Sequence, residues 1–139
     1  MRLILLPLTL TLAAAPAFAA DPVAMQTAMT GAAEIPGPAD PDGAGTAKIT
    51  VDAAKGEVCY TLTVSNIDAA TMAHIHKGVV GVAGPPVVVL DPPATGSVQG
   101  CKPAAADVIA ALLATPSDYY VNVHNAAFPK GAIRGQLGR

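Results

Sequence analysis

The segment TAKITVDAAKGEVCYTLTVSN, residues 46–66, decides the fold class, because each of its halves alternates between apolar and polar side chains. The apolar positions are Ala47, Ile49 and Val51 in the first half and Val58, Tyr60, Leu62 and Val64 in the second. Such alternation is typical of strands that bury one face. The short connection AAKG, residues 53–56, predicts that the two strands pair as a hairpin.

The rest of the chain is divided into short segments by thirteen prolines and thirteen glycines. Further strands are predicted at residues 23–30, 72–78, 86–90, 96–101, 118–125 and 131–137. In KPAAADVIAALLATP, residues 102–116, apolar residues recur at helical spacing after Pro103. We therefore expect an all-β fold, an antiparallel β-sandwich with Greek-key-like connections, seven or eight short strands, and one short helix near residues 103–114.

The N-terminus has the layout of a secretory signal peptide. Arg2 precedes an apolar run that ends at the small-residue pattern Ala17-Phe18-Ala19, so residues 1–19 are excluded from the fold and residues 20–139 form one domain. The run is too short for a good membrane span. We expect an exported protein, periplasmic or secreted. Beyond residue 19 the chain carries seven basic and ten acidic side chains, which argues against a nucleic-acid partner.

The chain has two cysteines, Cys59 and Cys101. In an exported protein an even number favours a disulfide, and only one pairing is available. The alternative is a pair of thiolate ligands for a metal, which would be open to oxidation outside the cell. We favour the disulfide.

The three histidines of the chain lie in two predicted strands, MAHIHKG (72–78) and YYVNVHN (119–125). Side chains two residues apart share a face of a strand, so His74 and His76 lie together, opposite Ile75. His124 shares a face with Tyr120 and Asn122. All three histidines therefore fall on faces that point away from the core.

Two interpretations of this pattern remain open. The histidines are either ordinary polar residues on solvated faces, or three ligands of one metal ion if the two strands are neighbours. Neutral imidazole suits copper, and also zinc. A thioether from Met25, Met29 or Met72 would favour Cu(I), although methionine is commonly core filler.

Several segments together resemble the CHRD domain family, named after the repeats in chordin. They are AHIHKG, PPVVVL, YYVNVHNAAFPKGAIRGQL and the opening TGAAEIPGPADPDGAGTAKITVD, and the resemblance extends over about residues 25–138. The resemblance implies an extracellular or exported β-sandwich without a general enzymatic activity. The chain positions that match the family's motifs are His74, His76, Asn122, His124, Pro129, Gly131, Arg134 and Gly135.

These positions lead to the functional hypotheses. Asn122 is expected to orient a histidine, and Arg134 to lie on the histidine side and pair with Glu34 or an aspartate. The histidine arrangement is also similar to the copper site of copper–zinc superoxide dismutases, but the remaining ligands of that two-metal site are missing. We expect a metal-binding protein, copper favoured and zinc as the alternative, without an assigned catalytic residue. The alternatives are a non-catalytic extracellular module without metal, which binds another exported protein or belongs to a matrix, and, less favoured, a copper-dependent redox enzyme.

Overall fold

The computed structural model describes residues 20–138, so the predicted signal peptide, residues 1–19, lies outside the described part of the chain. Eight strands, one α-helix and two single-turn 3₁₀-helices at residues 31–33 and 116–118 are assigned there. In chain order the strands are β1 (Val23–Thr30), β2 (Ala44–Asp52), β3 (Glu57–Ser65), β4 (Ala70–Lys77), β5 (Pro86–Leu90), β6 (Ser97–Pro103), β7 (Tyr119–Asn125) and β8 (Ile133–Gln136), and the helix α1 is Ala106–Ala114.

The strands form one sheet in the order β5-β4-β7-β8-β1-β2-β3-β6, and every neighbouring pair is antiparallel. The two edges of the sheet approach each other, since Lys102 of β6 donates to Asp91, just after β5, at 2.7 Å. The hydroxyl of Tyr60 also bonds Asp91. The predicted all-β antiparallel fold with one short helix is confirmed, and its eight strands form a continuous, nearly closed, barrel-like sheet.

The hairpin predicted for residues 46–66 is present, with β2 and β3 paired from Ala44↔Ser65 to Asp52↔Glu57. Its predicted inward positions are buried except Val64, which is partly buried, and Ile49, Val58 and Leu62 are fully shielded from solvent. Burial of such side chains contributes about 1.5–3 kcal/mol each to folding. The interior of the sheet is therefore the core, as the alternation predicts.

The helix begins later than predicted. Pro103 is the last residue of β6, where it lies opposite Glu57, and α1 starts at Ala106. Proline is tolerated at this position because β6 is an edge strand, so no ladder hydrogen bond requires its missing N–H. Helix α1 buries Ile109 and Leu112 in the core. No helix within residues 20–138 has the length and apolar character needed to cross a membrane.

The predicted disulfide between Cys59 and Cys101 is present. The two residues lie directly opposite each other in β3 and β6, on the outer face of the sheet. Their sulfur atoms and a carboxylate oxygen of Glu57 lie close enough together to suggest a metal site, but a disulfide has no thiolate that could bind a metal. The cysteine pair is therefore a cross-link between strands.

Candidate metal centre

Strands β4 and β7 are neighbours, which is the condition that a shared histidine site requires. Their register places His74 opposite Asn122 and Met72 opposite His124. The residues between them, such as Ile75 and Val123, are fully buried in the core. The histidines consequently lie on the outer face of the sheet, as alternation predicts.

The three imidazoles meet at one point on that face. Each histidine offers a ring nitrogen, and the three nitrogens lie within 4.8 Å of one another. His74 Nδ1 is 3.2 Å from His124 Nε2. Nitrogens bound at about 2.0–2.1 Å to one tetrahedral ion are separated by roughly 3.3 Å. The spacing of His74 and His124 therefore suits a shared metal ion.

A backbone carbonyl fixes the ring of His76. Its Nδ1 donates to the carbonyl oxygen of Gly84 at 2.7 Å, so the proton of the neutral ring is held at Nδ1. Nε2 then carries a lone pair, and this buried atom has no hydrogen-bond partner among residues 20–138. A ring held by a backbone acceptor, with its other nitrogen unpartnered, has the arrangement that metal-binding histidines show.

His124 has oxygen atoms at both of its ring nitrogens. Nδ1 is 3.1 Å from the carbonyl of Pro129, and Nε2 is 3.1 Å from Oδ1 of Asn122. A neutral imidazole has one N–H and can donate to only one of these oxygens. A cation beside Nε2 would satisfy the arrangement while the single proton stays on Nδ1. The predicted contact between Asn122 and a histidine is thus present, and Asn122 is itself buried.

A loop covers one side of the cluster, and we call residues 78–85 the valine loop (GVVGVAGP). Its ends are joined by the bond from the Lys77 N–H to the carbonyl of Pro85. Gly84 is required there, because a Cβ atom would overlap with the carbonyl oxygen of Lys77. The loop, together with the turn at Pro129, explains why Asn122 and His124 are buried although they face away from the core.

Tyr120 and Arg134 extend this covered layer. The ring of Tyr120 stacks on His76 with centroids 4.8 Å apart, and the guanidinium of Arg134 lies 3.4 Å from the Tyr120 centroid on the outer face. Arg134 also donates to the carbonyl of Val79 at 3.1 Å, which ties the valine loop to β8. No role was predicted for Tyr120, although its two-residue spacing from Asn122 places it on the same face of β7 as Asn122 and His124.

Glu34 is buried near this layer and does not belong to the group formed by the three histidine nitrogens. No ion pair within 4.0 Å joins it to Arg134 in the described part of the chain, so the predicted direct pairing is not present. Burial raises the pKa of Glu34, while the N–H of Ile35 and the positive charge of Arg134 lower it. Gly131 gives room for this carboxylate, because a Cβ at that position, where φ is +141°, would overlap with it.

Burial also keeps the three histidines neutral. It lowers the pKa of His74 to about 4, with the charges of His124 and His76 adding to the effect. Burial is the main cause of the lowered pKa of His76 and of His124 as well. Neutral imidazole is the form that binds a metal. At neutral pH all three ring nitrogens are therefore available as ligands, with zinc and copper as the ions that imidazole suits.

The comparisons with known proteins agree with the motifs. The chain matches the CHRD domain family over residues 25–137, nearly its whole length. Searches of curated proteins and of solved structures gave no match. Since the match covers well over half of the sequence, the chain belongs to the CHRD domain family.

Proposed function

We propose that this CHRD-domain protein is exported and binds a transition metal through His74, His76 and His124. The observation that carries the proposal is the convergence of three ring nitrogens within 4.8 Å on the outer face of the sheet, where His124 is buried and His74 and His76 are half-buried. Two of the rings are held by backbone carbonyls, those of Gly84 and Pro129. The arrangement therefore exists before an ion arrives, and little conformational entropy is lost on binding.

Copper is the favoured ion and zinc the alternative. A site made only of imidazole nitrogens binds both, and among divalent ions of this series copper binds nitrogen ligands most tightly. A metal-binding role in storage, transfer or protection needs no further residue. We assign no catalytic step, because the chain's own residues near the cluster, Asn122, Tyr120 and Arg134, orient and cover the histidines.

Export is the second part of the proposal. The disulfide between Cys59 and Cys101 supports it, because such bonds persist in oxidising compartments. The N-terminal pattern in residues 1–19 supports it independently. The periplasm or the cell exterior is the expected location.

The other candidate function is a module that binds another exported protein without a metal. Exposed apolar side chains on the valine loop, Val79, Val80 and Val82, favour it, since they leave apolar surface in water. Val89 of β5 is also exposed. The two functions differ in their dependence on histidine, because the valines lie outside the ligand set.

Isothermal titration with Cu(II), with Zn(II), and with Cu(I) under anaerobic conditions tests the proposal. The purified protein is compared with the double variant His74→Ala/His76→Ala and with Lys77→Gln, a control at an exposed position of the same strand. We expect one ion per chain with a Kd below about 1 µM, retained in Lys77→Gln and lost in the double variant. Binding that is weaker, or equal in the double variant, would contradict the metal site.

A further inference from the structure

Met72 stands apart from the other methionines within residues 20–138. Met25 and Met29 are 2 % and 1 % exposed and belong to the core, so they are not available as ligands. Met72 is 44 % exposed, although its side chain is apolar. Core packing, the usual role of methionine, therefore does not explain its position.

The register of β4 and β7 places Met72 at the edge of the histidine cluster. It lies directly opposite His124, and directly opposed residues have Cβ atoms about 4.5–5.5 Å apart. Two residues along the same strand it shares the outer face with His74. Met72 is thus a neighbour, on the same face of the sheet, of two of the three proposed ligands.

The histidine cluster is covered on the side of His76 and exposed to solvent on the side of Met72. Asn122 lies opposite His74 in β7 and contacts His124, and the valine loop covers the side of His76 through Gly84 and Tyr120. On the opposite side lie Met72 and Val89, which pairs with His74 across β4 and β5, and both are exposed. Met72 is therefore exposed at the edge of the cluster, and its unbranched, flexible side chain is free to adopt a conformation that binds an ion there.

We propose that Met72 supplies a thioether ligand to the three-histidine site and that the site thereby holds Cu(I). The inference rests on the proposed function. Soft thioether ligands select Cu(I), whereas zinc is well served by imidazole alone. Removing the thioether is expected to weaken Cu(I) binding and to leave Zn(II) binding almost unchanged.

The test uses protein labelled with ¹³C in the methionine methyl groups and titrated with Ag(I), a redox-inert soft ion of the same charge as Cu(I). We expect the Met72 methyl resonance to shift with one equivalent of Ag(I), together with the histidine ring resonances. The methyl groups of Met25 and Met29, shielded in the core, should remain in place and serve as internal controls.

The variant Met72→Leu gives the second measurement, and its exposed position makes folding insensitive to the change. Its Cu(I) affinity should fall by roughly ten- to a hundred-fold, the range seen when supporting groups of a metal site are removed, with Zn(II) affinity unchanged. Histidine resonances that shift without the Met72 methyl would overturn this inference while leaving the proposed function intact. If neither set shifts, this inference is wrong, and the Zn(II) and Cu(II) titrations decide the proposed function separately.

Discussion

Removal of the Cys59–Cys101 disulfide should destabilise the protein strongly without changing its metal affinity. The bond closes a loop with a sequence separation of 42 residues. In the chain-entropy description, releasing such a loop gives the unfolded chain about 4 kcal/mol of additional conformational freedom at 25 °C. For the roughly 120 residues of the domain, with an unfolding entropy near 2 cal/mol/K per residue, this corresponds to a fall in Tm of about 16 °C.

The variant Cys59→Ala/Cys101→Ala measures this effect by calorimetry and by urea unfolding, with wild type beside it. The cysteines belong to β3 and β6, which are not neighbours of the histidine strands β4 and β7. Titration of the folded variant should therefore give the Kd of wild type. A loss of less than about 1 kcal/mol, well below the loop-closure value, would refute the entropic reasoning. A changed Kd would refute the independence of the site.

Two further results are expected. As the pH is lowered, metal affinity should stay nearly constant through pH 6.5, where ordinary histidines become protonated, and should fall only as the pH approaches 4. The reason is that burial lowers the pKa of His74 to about 4. Metal titrations in a pH series measure this, and a loss of affinity with a midpoint near pH 6.5 would contradict it. Arg134→Ala should cost roughly 2–4 kcal/mol in urea unfolding, because it removes the charged donor to the Val79 carbonyl and the cation stacked on Tyr120. Arg134→Met, which keeps the packing, should cost less, and equal losses would contradict the role of packing.

The alternation of side chains predicted which face of each strand is buried, but it could not predict which strands are neighbours. Ile75 and Val121 were correctly placed inward because residues two apart share a face. The pairing of β4 with β7 joins residues about fifty positions apart, and nothing local in MAHIHKG or YYVNVHN specifies it. The pattern of side chains therefore could not predict that His124 lies beside His74 and His76, which follows from the pairing of β4 with β7 in the structure.

The cover over the outer face could not be predicted for a related reason. Alternation predicts a face that points away from the core, with solvent exposure as one interpretation, whereas Asn122 and His124 are 2 % and 6 % exposed. The covering contacts come from backbone carbonyls, at Gly84 and Pro129, which every residue type provides. Residue types therefore do not predict such contacts, and the sequence does not predict which side chains a loop between two strands will cover.

Pro103 shows the same limit on a smaller scale. Its ring suits the first turn of a helix, so local preference favoured a helix start near residue 103. Pairing of β6 with β3 continues to Pro103 instead, opposite Glu57, and the helix begins at Ala106. Tertiary contact with β3 thus overrides the local preference of the segment.

The decisive test of the three-histidine metal site is a crystal structure. Crystals are grown with one equivalent of Cu(II), and diffraction data are collected on both sides of the copper absorption edge. We predict one anomalous peak per chain, about 2.0–2.1 Å from a ring nitrogen of each of His74, His76 and His124. The peak should vanish in crystals of the His74→Ala/His76→Ala variant. An anomalous peak at another position, or a contact between His74 Nδ1 and His124 Nε2 that stays at 3.2 Å with no metal between the two nitrogens, would contradict the proposed site.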